Sequence, residues 1–175
     1  KTRNQPASII KLDVYDDSVN LLGVAKVTLP SITYPTVSIS GAGMMGNMDV
    51  PLLGMVDAMT TSIEFLDASN AQAAVMLSEP RKHQLEMRVA MEHWNVEQAE
   101  VGSWADRYLM VCHPKVFNPG TFAPMSAAGA SNEFAVYYYA GFRNGKQLWE
   151  IDKRSMKCII NGVDYMASVR KALGK

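Results

Sequence analysis

The 175-residue chain has no excess charge of either sign, because its 17 lysines and arginines match its 17 aspartates and glutamates. A dedicated nucleic-acid binder normally carries a basic excess, so this balance argues against that class of protein. No apolar run approaches the roughly 20 residues of a membrane-spanning helix, so no stable membrane insertion is expected. Low self-repulsion instead suits a protein that associates with its own copies.

Residues that usually carry catalysis or hold metals are few and poorly spaced. His83, His93 and His113 do not pair at metal-ligand spacing, and no Cys-x-x-Cys is present. Neither a Gly-x-Ser-x-Gly elbow nor a Gly-Lys-Ser/Thr phosphate loop occurs. Cys112 adjoins His113, but neighbours on a strand face opposite sides. We therefore predict a protein that is not an enzyme and that uses no metal or cofactor.

The two cysteines and one acidic pair complete the set of candidate reactive groups. Cys112 and Cys158 each lie in a strand-like run, and we expect free, buried thiols in a protein made in a reducing cytoplasm. A cross-link from either cysteine to a neighbouring subunit is the alternative. We interpret Asp16 and Asp17 as a solvated turn rather than a metal site.

Alternating and β-branched residues predict strands through the first third of the chain. The predicted strands are residues 9–15, 21–29, 32–39 and 59–66. A short polar turn at residues 16–20 joins the first two into a predicted hairpin. Pro35 places the third at an edge or a bulge, because proline cannot donate to a strand ladder.

One helix and one clear strand are predicted in the middle of the chain. Good helix formers occupy residues 71–77, with Ser69 or Asp67 as the cap and Pro80 as the stop. Residues 84–94 then alternate strictly, which indicates a strand with one buried and one polar face. The apolar set is Leu85, Met87, Val89 and Met91, and the polar set is Glu86, Arg88 and Glu92.

The last part of the chain returns to strands and ends in a short helix. Strands are predicted at residues 104–117, 133–142, 147–152 and 155–160, with a Gly/Ala/Pro loop at 119–132. Asn144-Gly145 and Asn161-Gly162 predict tight turns. A helix opening at Asp164 would carry Tyr165, Val169 and Leu173 on one apolar face. The sum is one mainly β (α+β) domain over residues 1–175, an antiparallel sandwich or barrel with a mid-chain and a C-terminal helix.

The segment Gly41-Ala-Gly-Met-Met-Gly46 is spelled like a dinucleotide-binding fingerprint. That function requires a helix to begin at the third glycine, so that its N-terminus can hold a pyrophosphate. Pro51 and Gly54 follow too closely for such a helix. This argues against nucleotide binding. A small enzyme with a phosphate-binding loop is kept as the competing hypothesis, and calorimetry with a nucleotide would test it.

We instead interpret residues 30–59 as an extended arm with a loose, methionine-rich tip. Five of the twelve methionines fall in or beside it, and methionine suits adaptable protein contacts. Apolar patches left in water usually mark a partner's docking site. The predicted inter-subunit contact residues are Gly41, Gly43, Met44, Met45, Gly46, Met48, Val50, Pro51 and Met55.

Two stretches of this sequence resemble a known family. Gly23-Val-Ala-Lys-Val-Thr-Leu-Pro30 with the glycine segment resembles the N-terminal half of the major tail tube protein of contractile-tailed phages of the P2 type. Its C-terminal half is matched by Gly145-Lys-Gln-Leu-Trp-Glu-Ile-Asp152, by Ile160-Asn-Gly-Val-Asp164 and by Arg170-Lys-Ala-Leu-Gly174. Order, spacing and length agree, whereas residues 79–132 carry no recognised motif.

The resemblance implies a tail-tube fold and a structural function without catalysis. Six-fold rings of such subunits stack into a hollow tube that penetrates the host envelope and conducts DNA. The implied partners are other copies of the chain, the sheath, the baseplate, the tail terminator, the tape-measure protein and passing DNA, bound without sequence specificity. The implied location is the virion tail, assembled in the bacterial host cytoplasm.

Two questions stay open within this family. The same architecture would serve a phage-tail-like bacteriocin or a type VI-like secretion device, which has no genome to deliver. The polar residues Glu86, Arg88 and Glu92 are predicted to face either the channel or the sheath. A channel without a basic stripe is expected, because DNA must slide through it.

Overall fold

The computed structural model describes the backbone of residues 4–66 and 71–175, and most of these residues lie in antiparallel strands. The strands are β1 (Asn4–Asp16), β2 (Val19–Leu21), β3 (Val24–Thr28), β4 (Thr36–Ile39), β5 (Met48–Pro51), β6 (Met59–Phe65), β7 (His83–Asn95), β8 (Glu100–Asn118), β9 (Thr121–Ala123), β10 (Ser126–Ala128), β11 (Ser131–Arg143), β12 (Lys146–Asp152), β13 (Lys157–Ile160) and β14 (Val163–Asp164). The helices are α1 (Ala71–Leu77) and α2 (Ala167–Ala172). The predicted caps of α1, Ser69 and Asp67, lie outside the described residues. No helix of the described ranges has the length and apolar character needed to cross a membrane.

Ten strands form one sheet, in the order β14-β13-β12-β11-β8-β7-β1-β2, with β6 also paired to β11 and β3 paired to β6. The long strand β11 is the branch point. One edge pairs with β8 along its whole length, while the other edge pairs with β6 over residues 131–136 and with β12 over residues 138–143. The sheet therefore divides at β11, and the predicted mainly β architecture is confirmed.

The core lies on one face of the long strands and is closed by α1. Leu85, Met87 and Val89 of β7 are buried as their alternation predicts, while Arg88 faces solvent. From α1, Ala74 and Leu77 are completely buried. Burying a side chain of leucine or methionine size contributes about 1.5–3 kcal/mol each, so this face supplies much of the stability.

The two Asn-Gly turns are confirmed in detail. Asn144 and Gly145 have φ of 49° and 78°, and Arg143 pairs with Lys146 across the turn. This left-handed pair of residues matches the twist of a hairpin, and asparagine and glycine adopt it at low cost. Asn161 and Gly162 repeat the geometry between β13 and β14.

The predicted strand at residues 21–29 is wrong as one continuous element. Gly23 has φ of 77° and separates β2 from β3. β2 forms the predicted hairpin with β1, whereas β3 crosses to pair with β6. A positive φ redirects the chain, which ends one strand and begins another in a different part of the sheet.

The predicted loop at residues 119–132 is also corrected. β9 and β10 pair with each other as a small separate hairpin, and residues 131–132 already belong to β11. Alanine and glycine have low β-propensity, so pairing here is set by the turn at Met125, whose φ is 63°.

The C-terminal helix begins later than predicted. Asp164 is still in β14, where its carboxylate accepts a hydrogen bond from the Met166 amide at 3.0 Å. Met166 is buried, whereas Tyr165, Val169 and Leu173 are 48%, 40% and 57% exposed. All three predicted apolar residues therefore keep exposed surface, but only Val169 lies within α2.

Candidate assembly surfaces

The predicted arm is a two-stranded ribbon. β4 pairs with β5 from Thr36–Pro51 to Ile39–Met48, and residues 40–47 form the tip between them. The strand β5 follows the glycine segment. A phosphate-binding loop requires a helix at that point, so the phosphate-loop hypothesis fails. Gly43 and Gly46 have φ of 94° and 90°, a region that residues with side chains rarely adopt.

All nine predicted contact residues lie on this arm, and eight of them are exposed. Val50 is half-buried. Met45 at the end of the tip is fully exposed, and Met48 and Met55 are about half exposed. Exposed methionines so close together form a flexible apolar surface. Their role in contacts between subunits stays a prediction.

The base of the arm rests on the C-terminal segment. Gly54 is buried with φ of 92°, and a side-chain carbon added there would lie 2.9 Å from the Met166 sulfur and 3.1 Å from the Tyr165 carbonyl oxygen. Backbone bonds from the Leu52 amide to Pro35 and from the Asp57 amide to Thr33 close the base. The arm is thus held firmly at its base, and its tip projects. Sequence reasoning missed Gly54 because its partners lie more than 100 residues away.

A charged face covers the sheet on the side opposite the core. We define it by Lys11 and Asp13 of β1, Glu86, Arg88 and Glu92 of β7, and Arg107 of β8. The predicted trio Glu86, Arg88 and Glu92 lies here, on one side of one strand. A shallow groove of about 510 Å³ runs across this face between β1, β7 and β8.

Charges on this face neutralise each other locally. Arg88 donates from Nε to Glu86 at 2.7 Å and lies 4.7 Å above the Tyr15 ring. The hydrogen bond to Glu86 also raises the pKa of Arg88. Lys11 lies 3.4 Å from Asp13, and Arg107 lies 4.0 Å from Glu86. These three cations each have a nearby carboxylate, so they form no basic stripe.

A buried ion-pair network lies under the β1–β2 turn, and it corrects the prediction for Asp16. Asp16 is 1% exposed, and both of its carboxylate oxygens lie 3.0–3.1 Å from Nδ1 of the buried His83. Nε2 of His83 lies 2.9 Å from the Glu79 carbonyl oxygen. Arg81 contacts Asp16 at 3.3 Å and also pairs with Asp17. Only Asp17 is solvated, as predicted for the pair.

Within the described residues, one cluster has side chains that could hold a metal ion. It consists of Asp16, Asp17 and His83. The guanidinium of Arg81 already lies against both carboxylates, and the His83 ring is engaged at both nitrogens. We interpret the cluster as a structural network. The network was not predicted from the sequence, because 67 residues separate Asp16 from His83.

A second buried carboxylate ties the hairpin end of β11 to β8. Arg143 donates from two nitrogens to Asp106, at 2.9 and 3.0 Å, and stacks 4.7 Å above the Trp104 ring. Tyr108 donates to the same carboxylate at 3.1 Å. Burial, followed by the charge of Asp106, raises the pKa of Tyr108. A bidentate pair of this kind fixes the register of the two strands.

Both cysteines are confirmed as free and buried. Cys112 is fully enclosed, and burial raises the pKa of its thiol to about 12. Burial also raises the pKa of Cys158. Neither sulfur is accessible to a neighbouring copy in this conformation, so the alternative of an inter-subunit cross-link loses its support.

Together, the antiparallel sheet and the two-stranded arm with its exposed apolar side chains define a mainly β protein. A family model described as phage tail tube protein FII matches residues 6–174, and the chain therefore belongs to that family. No individual curated protein matches the chain.

Two solved cryo-EM structures share the fold. One is the sheath/tube terminator of the extracellular contractile injection system PVC in its extended state, with 11% identity, a TM-score of 0.51, and coverage of 79% of this chain and 97% of the other. The second is the sheath-tube complex of the same system in its extended state, with 12% identity, a TM-score of 0.51, and coverage of 78% and 91%. At such identities the similarity concerns the fold alone.

Proposed function

We propose that this chain is the repeating subunit of the hollow inner tube of a contractile phage tail. Six-fold rings stack into a tube that penetrates the host envelope and conducts DNA. The observation that carries the proposal is the arm, whose apolar side chains at and beside the tip are exposed to water. Membership of the tail tube family supports the same function.

The edge of β1 offers a means of closing a ring. β2 covers only Val14–Asp16 of β1, and the remaining recorded pairs of β1 run to β7 on the other side. Residues 4–13 thus present an extended edge that a neighbouring subunit can extend. Ring closure removes such edges, and a head-to-tail contact that closes gives a ring.

The charged face supports the lining of a channel. Its cations are neutralised locally by Asp13 and Glu86, so DNA phosphates would find no continuous cationic track. Retention of DNA by a protein requires clustered Lys and Arg contacts to phosphates. We assign Glu86, Arg88 and Glu92 to the channel wall, with the sheath-facing surface as the alternative.

The remaining partners follow from the position of a tube within a tail. The solved structures of similar fold include a tube in complex with sheath and a sheath/tube terminator. We propose sheath and terminator contacts for this chain, together with the baseplate and the tape-measure protein. Because those structures come from an extracellular injection system, a tube for a bacteriocin or secretion device is the second candidate function.

Deleting residues 37–51 tests the function of the arm. The deletion removes both strands of the ribbon except Thr36, and the residues of both backbone bonds at its base, Leu52–Pro35 and Asp57–Thr33, are retained. We expect a folded monomer by sedimentation velocity and circular dichroism, while the intact chain gives rings or tubes. Tubes formed by the deletion variant would refute the proposed role of the arm.

A further inference from the structure

Charge is divided unevenly between the arm and the C-terminal segment, although the whole chain is neutral. Residues 30–59 contain Asp49 and Asp57 and no lysine or arginine. Residues 146–175 contain seven lysines and arginines against three aspartates and glutamates, a net charge of +4. The two segments are therefore electrostatically complementary, which favours their encounter.

Both segments also expose apolar side chains. We call Tyr165, Val169 and Leu173, which are spaced four residues apart, the C-terminal stripe. No residue of α2 is buried, and the helix is held mainly through the ion pair between Arg170 and Asp164 and a 2.9 Å bond from Arg170 to the Met156 carbonyl oxygen. Val169 in α2 and the flanking Tyr165 and Leu173 thus leave apolar surface in water, which suits contact with a partner.

The arm tip has the shape and composition to be that partner. Met45 in the tip is 104% exposed, and Ile39 and Met48, which flank the tip in β4 and β5, are 42% and 51% exposed. Gly43 and Gly46 make the turns of the tip. Methionine and glycine allow a flexible apolar finger to adapt to a helical surface. Asp49 stands in β5, beside the tip.

Within one chain, it is the base of the arm that contacts the C-terminal segment. Gly54 packs against Met166 and the Tyr165 carbonyl, whereas residues 40–47 of the tip are all exposed. A surface and its complement that lie apart on the same subunit make a head-to-tail contact between copies, and such a contact repeats.

Resting on the proposed tube function, we propose that the arm tip of one copy docks on the C-terminal stripe of another copy. Met45 and Met48 pack across Val169 and Leu173, and Asp49 lies beside the basic C-terminal segment. The occupant of the stripe is therefore a second copy of this chain, and the sheath protein is the competing occupant.

Cysteine cross-linking tests the contact directly, because both native thiols are buried and serve as a silent background. Chains carrying Met45→Cys are mixed with chains carrying Val169→Cys, assembled and oxidised. A reductant-sensitive dimer on a denaturing gel is expected. As the matched control, Met125→Cys replaces Val169→Cys, since Met125 is 107% exposed and lies on the β9–β10 hairpin away from the stripe.

The outcomes separate the contact from the function. Tubes that form without a cross-link between positions 45 and 169, or with an equal yield at position 125, overturn the docking contact and leave the tube function standing. A cross-link from position 169 to added sheath protein alone also overturns it. Failure of the unmodified chain to assemble overturns both.

Charge reversal gives a second test that does not depend on oxidation. Asp49→Lys is expected to lower the assembled fraction, by at most about five-fold per contact, since exposed ion pairs are weak. Lys26→Asp, at an exposed lysine on β3, is the matched control for a charge change and should leave the assembled fraction unchanged. An equal loss of assembly in the two variants would contradict a specific role of Asp49 at this contact.

Discussion

Replacing Asp16 by alanine tests whether the buried network under the β1–β2 turn holds the first hairpin to β7. The carboxylate of Asp16 is the partner of Nδ1 of His83, and both side chains are at most 1% exposed. After the substitution the ring nitrogen faces an apolar gap, and the guanidinium of Arg81 loses one of its contacts.

The expected cost follows from burial. Leaving a buried polar group without its hydrogen-bond partner costs about 1–3 kcal/mol, and Nδ1 of His83 cannot reach water once the carboxylate is removed. The adjacent Asp17 is the matched control, since it pairs with the same Arg81 but its side chain is 42% exposed. Asp17→Ala should cost about 1 kcal/mol, as exposed ion pairs usually do.

Urea unfolding followed by tryptophan fluorescence measures both variants, at a concentration where sedimentation shows a single unassembled species. We predict that Asp16→Ala lowers the free energy of unfolding by about 1–2 kcal/mol more than Asp17→Ala. Asp16→Asn, which keeps an acceptor oxygen for His83, should fall between them. Costs equal within about 0.5 kcal/mol would refute the idea that burial makes the Asp16–His83 pair structural.

Three further predictions concern the arm base, the charged face and the thiols. Gly54→Ala should lower the melting temperature, because backbone strain there costs about 1–3 kcal/mol. Gly43→Ala is the control, since Gly43 has a similar φ but open space around it, and it should affect folding less. Equal melting temperatures of the two variants would contradict the packing of Gly54 against Met166. Tubes carrying Glu86→Lys and Glu92→Lys should retain short duplex DNA in a salt-sensitive manner. DNA binding no better than that of the wild type would contradict the assignment of this face to the channel wall. Alkylation of Cys112 at pH 8 should be slow until the chain unfolds, because its pKa is raised to about 12 and the folded thiol stays neutral. Rapid labelling of the folded chain would mean that the core opens.

Local patterns in the sequence foretold the elements whose structure depends on neighbouring residues. The alternation of Leu85, Met87 and Val89 marked β7 and its buried face, and Asn144-Gly145 marked a hairpin with the expected positive φ. The arm was also expected as two extended segments about a loose tip, because its glycines and prolines exclude a helix. Each of these features is decided within a few residues.

Features that depend on distant partners were not foreseen. β3 pairs with β6 across more than 30 residues, and nothing in residues 24–28 indicates which strand they join. Asp16 and His83 look like ordinary polar residues until the sheet brings them together. Periodicity predicted Tyr165, Val169 and Leu173 on one apolar face of a helix, whereas α2 contains only Val169 of the three.

Negative-stain electron microscopy of the purified chain at high concentration tests the central claim most directly. The account predicts rings or hollow tubes of uniform width formed by this chain alone, because the edge of β1 and the arm are both carried by each subunit. Particles that stay monomeric at that concentration, with the arm intact, would contradict assembly through these surfaces.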